Sequence, residues 1–220
     1  MSAGAKRCRK LFLRFFPKGF ADEKYFDWER GYKQAAQEQW NETLNKNAFR
    51  SLLKNKQFSE IAAHAVRIES RTNLLFSFEK MALRDGVKTE EGARTFAEGL
   101  YEFLHGADKT ENKFERWREA INALPRKQTR VLTWTNLTVF PFLAQPEKHI
   151  FLKPNTTRNA ASEYDFEFQY KSQPSWETYK NLLEFAETIR LDQKDLRPKD
   201  MIDIQSFIWT IGSEEYKHLF

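Results

Sequence analysis

The residues best suited to chemistry lie between His149 and Arg158, where a histidine, two cations, an amide and two hydroxyls fall close together. Lys153, Pro154, Asn155, Thr156, Thr157 and Arg158 leave an expected strand and open a short helix through Asn159, Ala160 and Ala161. A helix N-terminus presents unpaired amides and a partial positive charge, so hydroxyls and cations placed there can hold a phosphate or a carboxylate. His149, ahead of Lys153, adds an acid, a base or a hydrogen-bond donor to that anion site. A simpler reading has Asn155 or Thr156 capping the helix while Lys153 and Arg158 face water. No glycine-rich loop accompanies the pattern, which separates it from a P-loop.

Asp200 and Asp203 put two carboxylates at the start of the last long helix, as polar partners for such a site. Acids in a first helical turn also favour the helix dipole without any further role. Asp203, Ser206 and Thr210 continue as a polar stripe on an otherwise apolar helix. Arg67, Glu69, Arg71, Asn73, Glu79 and Lys80 form another polar set, read either as a solvated helix face or as a buried network. His64, His105 and His218 have no partner at metal-ligand spacing, and Cys8 is the single cysteine, so neither a metal site nor a cofactor is expected. Asp165, Glu167 and Lys171 miss the acid-x-lysine spacing of a metal-dependent nuclease strand. No nucleophile elbow or dinucleotide fingerprint occurs.

The elements that must position these residues are mostly helical. Asp22 can cap a helix through Tyr25, Trp28, Tyr32, Ala36, Trp40 and Leu44, and a short helix follows around Phe49, Leu52 and Leu53. A long helix is expected from Ser59 to Asp85 and Gly86, then helices over 89–105 and 114–124 that end at Gly106 and Pro125. Residues 128–144 mix β-branched residues with proline, and propensity does not decide them. His149 to Lys153 and Tyr164 to Tyr170 read as two strands, the second because Tyr164, Phe166, Phe168 and Tyr170 alternate with polar residues. Helices return from Ser175 and from Pro198, the proline as first helical residue. The expected fold class is mainly α (α+β), a multi-helix body with a small two- or three-stranded antiparallel sheet in the C-terminal third.

Charge divides the chain differently. All six charges of residues 1–20 are positive: Lys6, Arg7, Arg9, Lys10, Arg14 and Lys18. Taking these from the chain's 36 Lys and Arg leaves 30 against 31 Asp and Glu, so the pI near 9.2 describes the N-terminal segment more than the body. The expected organisation is a basic, aromatic-containing tail over 1–20 and a single globular domain over 21–220, helical over 21–127 and mixed over 128–220. A mean hydropathy of −0.73 and no apolar run of spanning length predict a soluble, cytoplasmic protein.

Two classes of function follow. The first is a binding or adaptor module whose tail contacts an anionic partner, nucleic acid ahead of an anionic membrane surface, with a protein partner also compatible. In it Phe12, Phe15 and Phe16 would stack on bases or enter a lipid interface, unless the tail forms a helix that docks on its own domain. The second is an enzyme or ligand sensor for a phosphate- or carboxylate-bearing substrate at the 149–158 junction.

Overall fold

The computed structural model describes residues 1–217, so His218 lies outside the described residues. In chain order the elements are α1 (Ala3–Phe15), a 3-10 turn (Gly19–Ala21), α2 (Glu23–Tyr25), a π-helical segment (Phe26–Arg30) and α3 (Gly31–Thr43). Next come α4 (Lys46–Lys54), α5 (Phe58–Ser70), α6 (Ser77–Gly86), α7 (Glu90–His105), α8 (Thr110–Ala123) and α9 (Trp134–Ala144). The chain finishes with α10 (Pro154–Glu163), α11 (Trp176–Asp192), a second 3-10 turn (Lys194–Leu196), α12 (Met201–Gly212) and α13 (Glu214–Lys217).

The expected sheet is absent: among the described residues no strand forms. Residues 166–170 belong to no regular element, and the Tyr170 N–H turns back to the Phe168 carbonyl at 2.9 Å, yet their side chains alternate between half-buried and exposed. Their backbone, however, bonds to side chains of α11. The Gln169 N–H donates to Asn181 Oδ1 at 2.8 Å, the Lys171 N–H to Thr178 Oγ1 at 3.1 Å, and the Thr178 hydroxyl to the Gln169 carbonyl at 2.9 Å. Phe166 stacks on Phe185 with ring centroids 4.7 Å apart. Residues 149–153 likewise belong to no regular element and carry the buried Ile150, Phe151 and Leu152, with the Ile150 N–H donating to the Tyr179 hydroxyl at 3.3 Å. Alternating burial does not by itself make a strand, and side chains of α11 supply backbone partners that a second strand would have supplied.

The expected helix over 59–85 is two helices. α5 ends at Ser70, and the Thr72 hydroxyl caps the Glu69 carbonyl at 2.8 Å before α6 begins at Ser77. The last long helix starts at Met201, later than Pro198 suggested, because Asp200 accepts from the N–H groups of Ile202 and Asp203 as its cap. The proline-first geometry occurs instead at Pro154, which opens α10. The undecided segment contains α9, whose eleven residues are all buried and whose Thr138 hydroxyl returns to the Trp134 carbonyl at 2.7 Å. Full burial overrides the β-branched composition there.

The chain divides into two compact units: Ala35–Gln145 is one, and Met1–Gln34 with the chain from Pro146 onward is the other. In the unit of residues 35–145, α7 packs against α5, α8 and α9. Phe96 of α7 meets the rings of Trp117 and Phe140 at 5.6 and 5.1 Å, and the Trp117 Nε1–H donates to the Leu137 carbonyl at 2.8 Å. In the other unit α12 is central and packs against α1, α10, α11 and the π-helical segment. Gly212 permits the approach of α10, since a Cβ there would collide with the Thr156 carbonyl. No helix among the described residues is long and apolar enough to cross a membrane.

Candidate functional site

The basic N-terminal segment is α1 and the turn after it, docked on its own unit. Ser2 caps the helix by accepting from the Ala5 N–H at 3.0 Å and donates its own hydroxyl to the Tyr164 carbonyl at 3.1 Å. A side chain at Gly4 would strike the Glu163 carbonyl at 2.5 Å, and the Gly4 N–H donates to Asp165 Oδ2 at 2.6 Å. Ala5, Cys8, Phe12 and Phe15 form the buried face. Phe12 lies 5.2 Å from Phe16, 5.0 Å from Phe20 and 5.0 Å from Phe207, centroid to centroid. Phe12, Phe15 and Phe16 are therefore core residues, as in the reading where the segment docks on its own domain. Burial pushes the Cys8 thiol up to about 12, which keeps it protonated and unreactive.

The six cations separate by direction. Arg9 turns toward its own unit, with Nη1 donating to Gln193 at 2.9 Å and both guanidinium nitrogens meeting the Asp195 carboxylate at 2.9 and 2.5 Å. Lys6, Arg7, Lys10 and Arg14 are exposed on the face opposite the buried one, and Lys18 is exposed in the turn beyond. Arg7 sits 3.5 Å from Asp165. Residues 3–15 contain no acid, so the outward face of α1 is a row of one sign.

Within the same unit lies a buried ionic network that the sequence gives little sign of. The Gly31 N–H reaches back to the Phe26 carbonyl, closing the wide π-helical turn that carries Glu29 and Arg30. Arg30 bonds to Asp200 at 2.8 Å and to Asp203 at 2.6 Å. Asp203 also accepts from the Tyr25 hydroxyl at 2.5 Å and the Lys199 N–H at 2.7 Å. Lys33 donates to Glu29 at 3.1 Å and to Ser206 at 2.8 Å, while the Tyr216 hydroxyl donates to the other Glu29 oxygen at 2.7 Å. Lys33 and Asp203 are each 1 % exposed. Burial lowers the Lys33 pKa against the pull of Glu29, and burial together with Asp203 raises that of Tyr25. With its charges paired, the network fixes the packing of the π-helical segment and Lys33 on α12. Its one legible signal is the Glu29–Lys33 spacing of one helical turn.

The candidates at 149–158 occupy a different setting. His149 is buried with Nδ1 3.3 Å from the Tyr179 hydroxyl. Lys153 is the half-buried N-cap of α10 and makes no side-chain cap bond. Thr156 and Thr157 are buried, and Arg158 is exposed with its guanidinium 5.3 Å from the Tyr170 ring centre. Asp200 and Asp203, read as polar partners of this group, bond to Arg30. Thr156 and Thr157 thus lie on the buried side of α10 and Arg158 on its exposed side.

In the unit of residues 35–145 the polar set also splits. Glu69 and Glu79 are buried, Lys80 is half-buried, and Arg67, Arg71 and Asn73 are exposed. Lys80 pairs with Glu69 at 3.4 Å and donates to the Thr72 carbonyl at 2.8 Å. Glu79 accepts from the Thr135 hydroxyl and, at 2.8 Å, from the Phe76 N–H. Among the described residues no group of three His, Cys, Asp or Glu could hold a metal ion.

Compared with family models, curated proteins and solved structures, the chain matches none of them.

Proposed function

We propose that the protein is a binding module that contacts a polyanion, nucleic acid foremost, through the exposed cationic row of α1. The observation that carries this reading is the row itself: Lys6, Arg7, Lys10 and Arg14 face outward from a helix whose other face is anchored in the core. At a rise of about 1.5 Å per residue, Lys6, Lys10 and Arg14 follow one another at about 6 Å intervals along one side. A preformed row meets successive phosphates without the ordering cost of a flexible tail, and cations that displace counterions gain affinity with little regard to sequence. Burial of Phe12, Phe15 and Phe16 removes the side chains that a membrane anchor on this segment would use, which favours nucleic acid over lipid.

Deleting residues 1–20 is a poor test, because it strips Phe12, Phe15, Phe16 and Phe20 from the core. The informative variant is Lys6→Gln/Lys10→Gln/Arg14→Gln in the full chain, compared with the parent on duplex DNA across a salt series. The expected result is weaker binding and a log K against log salt slope shallower by about 0.9 for each phosphate no longer neutralised. Equal affinity and equal slope for both proteins would remove α1 as the contact surface.

A further inference from the structure

A second surface, in the unit of residues 35–145 and independent of α1, joins aromatic rings to cations. Phe76, Phe78 and Met81 are 55 %, 48 % and 51 % exposed around the start of α6. The two phenyl rings stack, with centroids 5.7 Å apart and planes 17° from parallel. They are held in place: Glu79, buried and bonded by Thr135, accepts the Phe76 N–H at 2.8 Å. Met81 continues into a groove, shared with Ala82 and Asp85 of α6, whose other wall is Lys127, Gln128 and Thr129. Residues 125–130 carry Arg126, Lys127 and Arg130 and no acid, and of these Lys127 lines the groove together with Asp85.

We propose that this surface binds single-stranded nucleic acid. A parallel ring pair with about half of each side chain open to water is a stacking platform that an unpaired base can extend, and nearby cations then meet the backbone phosphates. Bases inside a duplex are already stacked and cannot reach it. An anionic lipid surface would also take rings and cations, but Gln128 and Thr129 in the groove beside these rings add neutral donors and acceptors suited to base edges, which acyl chains and headgroup phosphates do not use. The occupant that satisfies rings, cations and donors together is an unpaired strand.

The test measures anisotropy of a fluorescent oligothymidylate of about 16 nucleotides, of a duplex of the same length, and co-sedimentation with phosphatidylserine vesicles. Phe76→Ala/Phe78→Ala should weaken single-strand binding about tenfold or more and leave duplex binding unchanged. Phe78→Trp should retain single-strand binding, because stacking needs a ring and not phenylalanine itself. The exposure of both side chains makes the alanine variant safe for folding, and its near-UV circular dichroism should match the parent. Unchanged single-strand affinity in that variant overturns the proposal, as does a loss confined to vesicle binding, which would assign the patch to lipid. Lys6→Gln/Lys10→Gln/Arg14→Gln should weaken duplex binding and leave the single-strand loss caused by Phe76→Ala/Phe78→Ala in place, so failure of the α1 reading and failure of this one give different patterns.

Discussion

Lys33 is the residue whose environment differs most from what its type suggests. It lies in α3, yet its ammonium is enclosed with Glu29 and Ser206 for partners. Removing one member of a buried pair leaves the other charge desolvated and uncompensated, which costs more than the pair itself is worth. Lys33→Met should therefore destabilise the protein by about 3 kcal/mol in urea denaturation, with Glu29 left buried and only the Tyr216 hydroxyl to satisfy it. Adding Glu29→Gln should recover much of that loss, because the neutral amide no longer demands a cation. A Lys33→Met effect below about 0.5 kcal/mol would mean that the ion pair does not hold the fold. Beyond the one-turn spacing, nothing in the residue types announced this pair: only the late Ser206 and Tyr216, distant in the chain, together with Asp200 and Asp203 on Arg30, show that Glu29, Arg30 and Lys33 turn inward. The same residue-scale ambiguity separated Asp203 from the 149–158 cluster, since a carboxylate's partner is decided by topology that local spacing does not contain.

At the scale of elements, the docking of α1 depends on carboxylates held below their ordinary range. The Gly4 N–H, with help from Arg7, lowers Asp165, and the Arg9 hydrogen bond lowers Asp195. Each folded-state value lies under the unfolded one, so between the two the unfolded chain binds more protons and acid favours release of the helix. Both carboxylates are exposed, and screening keeps the contribution small. As pH falls from about 5 to about 2, amide exchange protection of α1 should drop before that of α12. Equal loss in the two helices would show that the apolar face alone holds α1. Elements were also where the sequence was most readable. The three- and four-residue spacings of Ala93, Phe96, Ala97, Leu100 and Leu104 mark α7, and Gly106 marks its end, because a helix against a core has to bury one stripe. Tyr164 to Tyr170 differ from expectation for an equally physical reason: a period of two measures alternating burial, and whether a neighbouring strand or α11 supplies the backbone partners is invisible locally.

For the whole molecule, the division into units crosses the chain order. Ala35–Gln145 is continuous, whereas the other unit joins Met1–Gln34 to residues beyond Pro146. Its core cannot form until Phe12 and Tyr25 reach Phe207 and Asp203 across the whole intervening segment. Closing so long a loop is entropically unfavourable before any contact repays it, while α5, α7, α8 and α9 find their partners within one stretch. A fragment of residues 31–145, which keeps α3 whole, should therefore fold alone, with the buried Trp117 giving a near-UV signal and a cooperative melt. A fragment beginning at residue 146 should not, because α12 would expose Ile204, Phe207 and Ile208 and leave Asp203 without Arg30 and Tyr25. Supplying residues 1–34 as a separate peptide should then restore helical signal to that fragment in a concentration-dependent way. If the C-terminal fragment instead melts cooperatively alone, the N-terminal helices are additions to a finished core, and the charge row on α1 would have to be read as an appended arm.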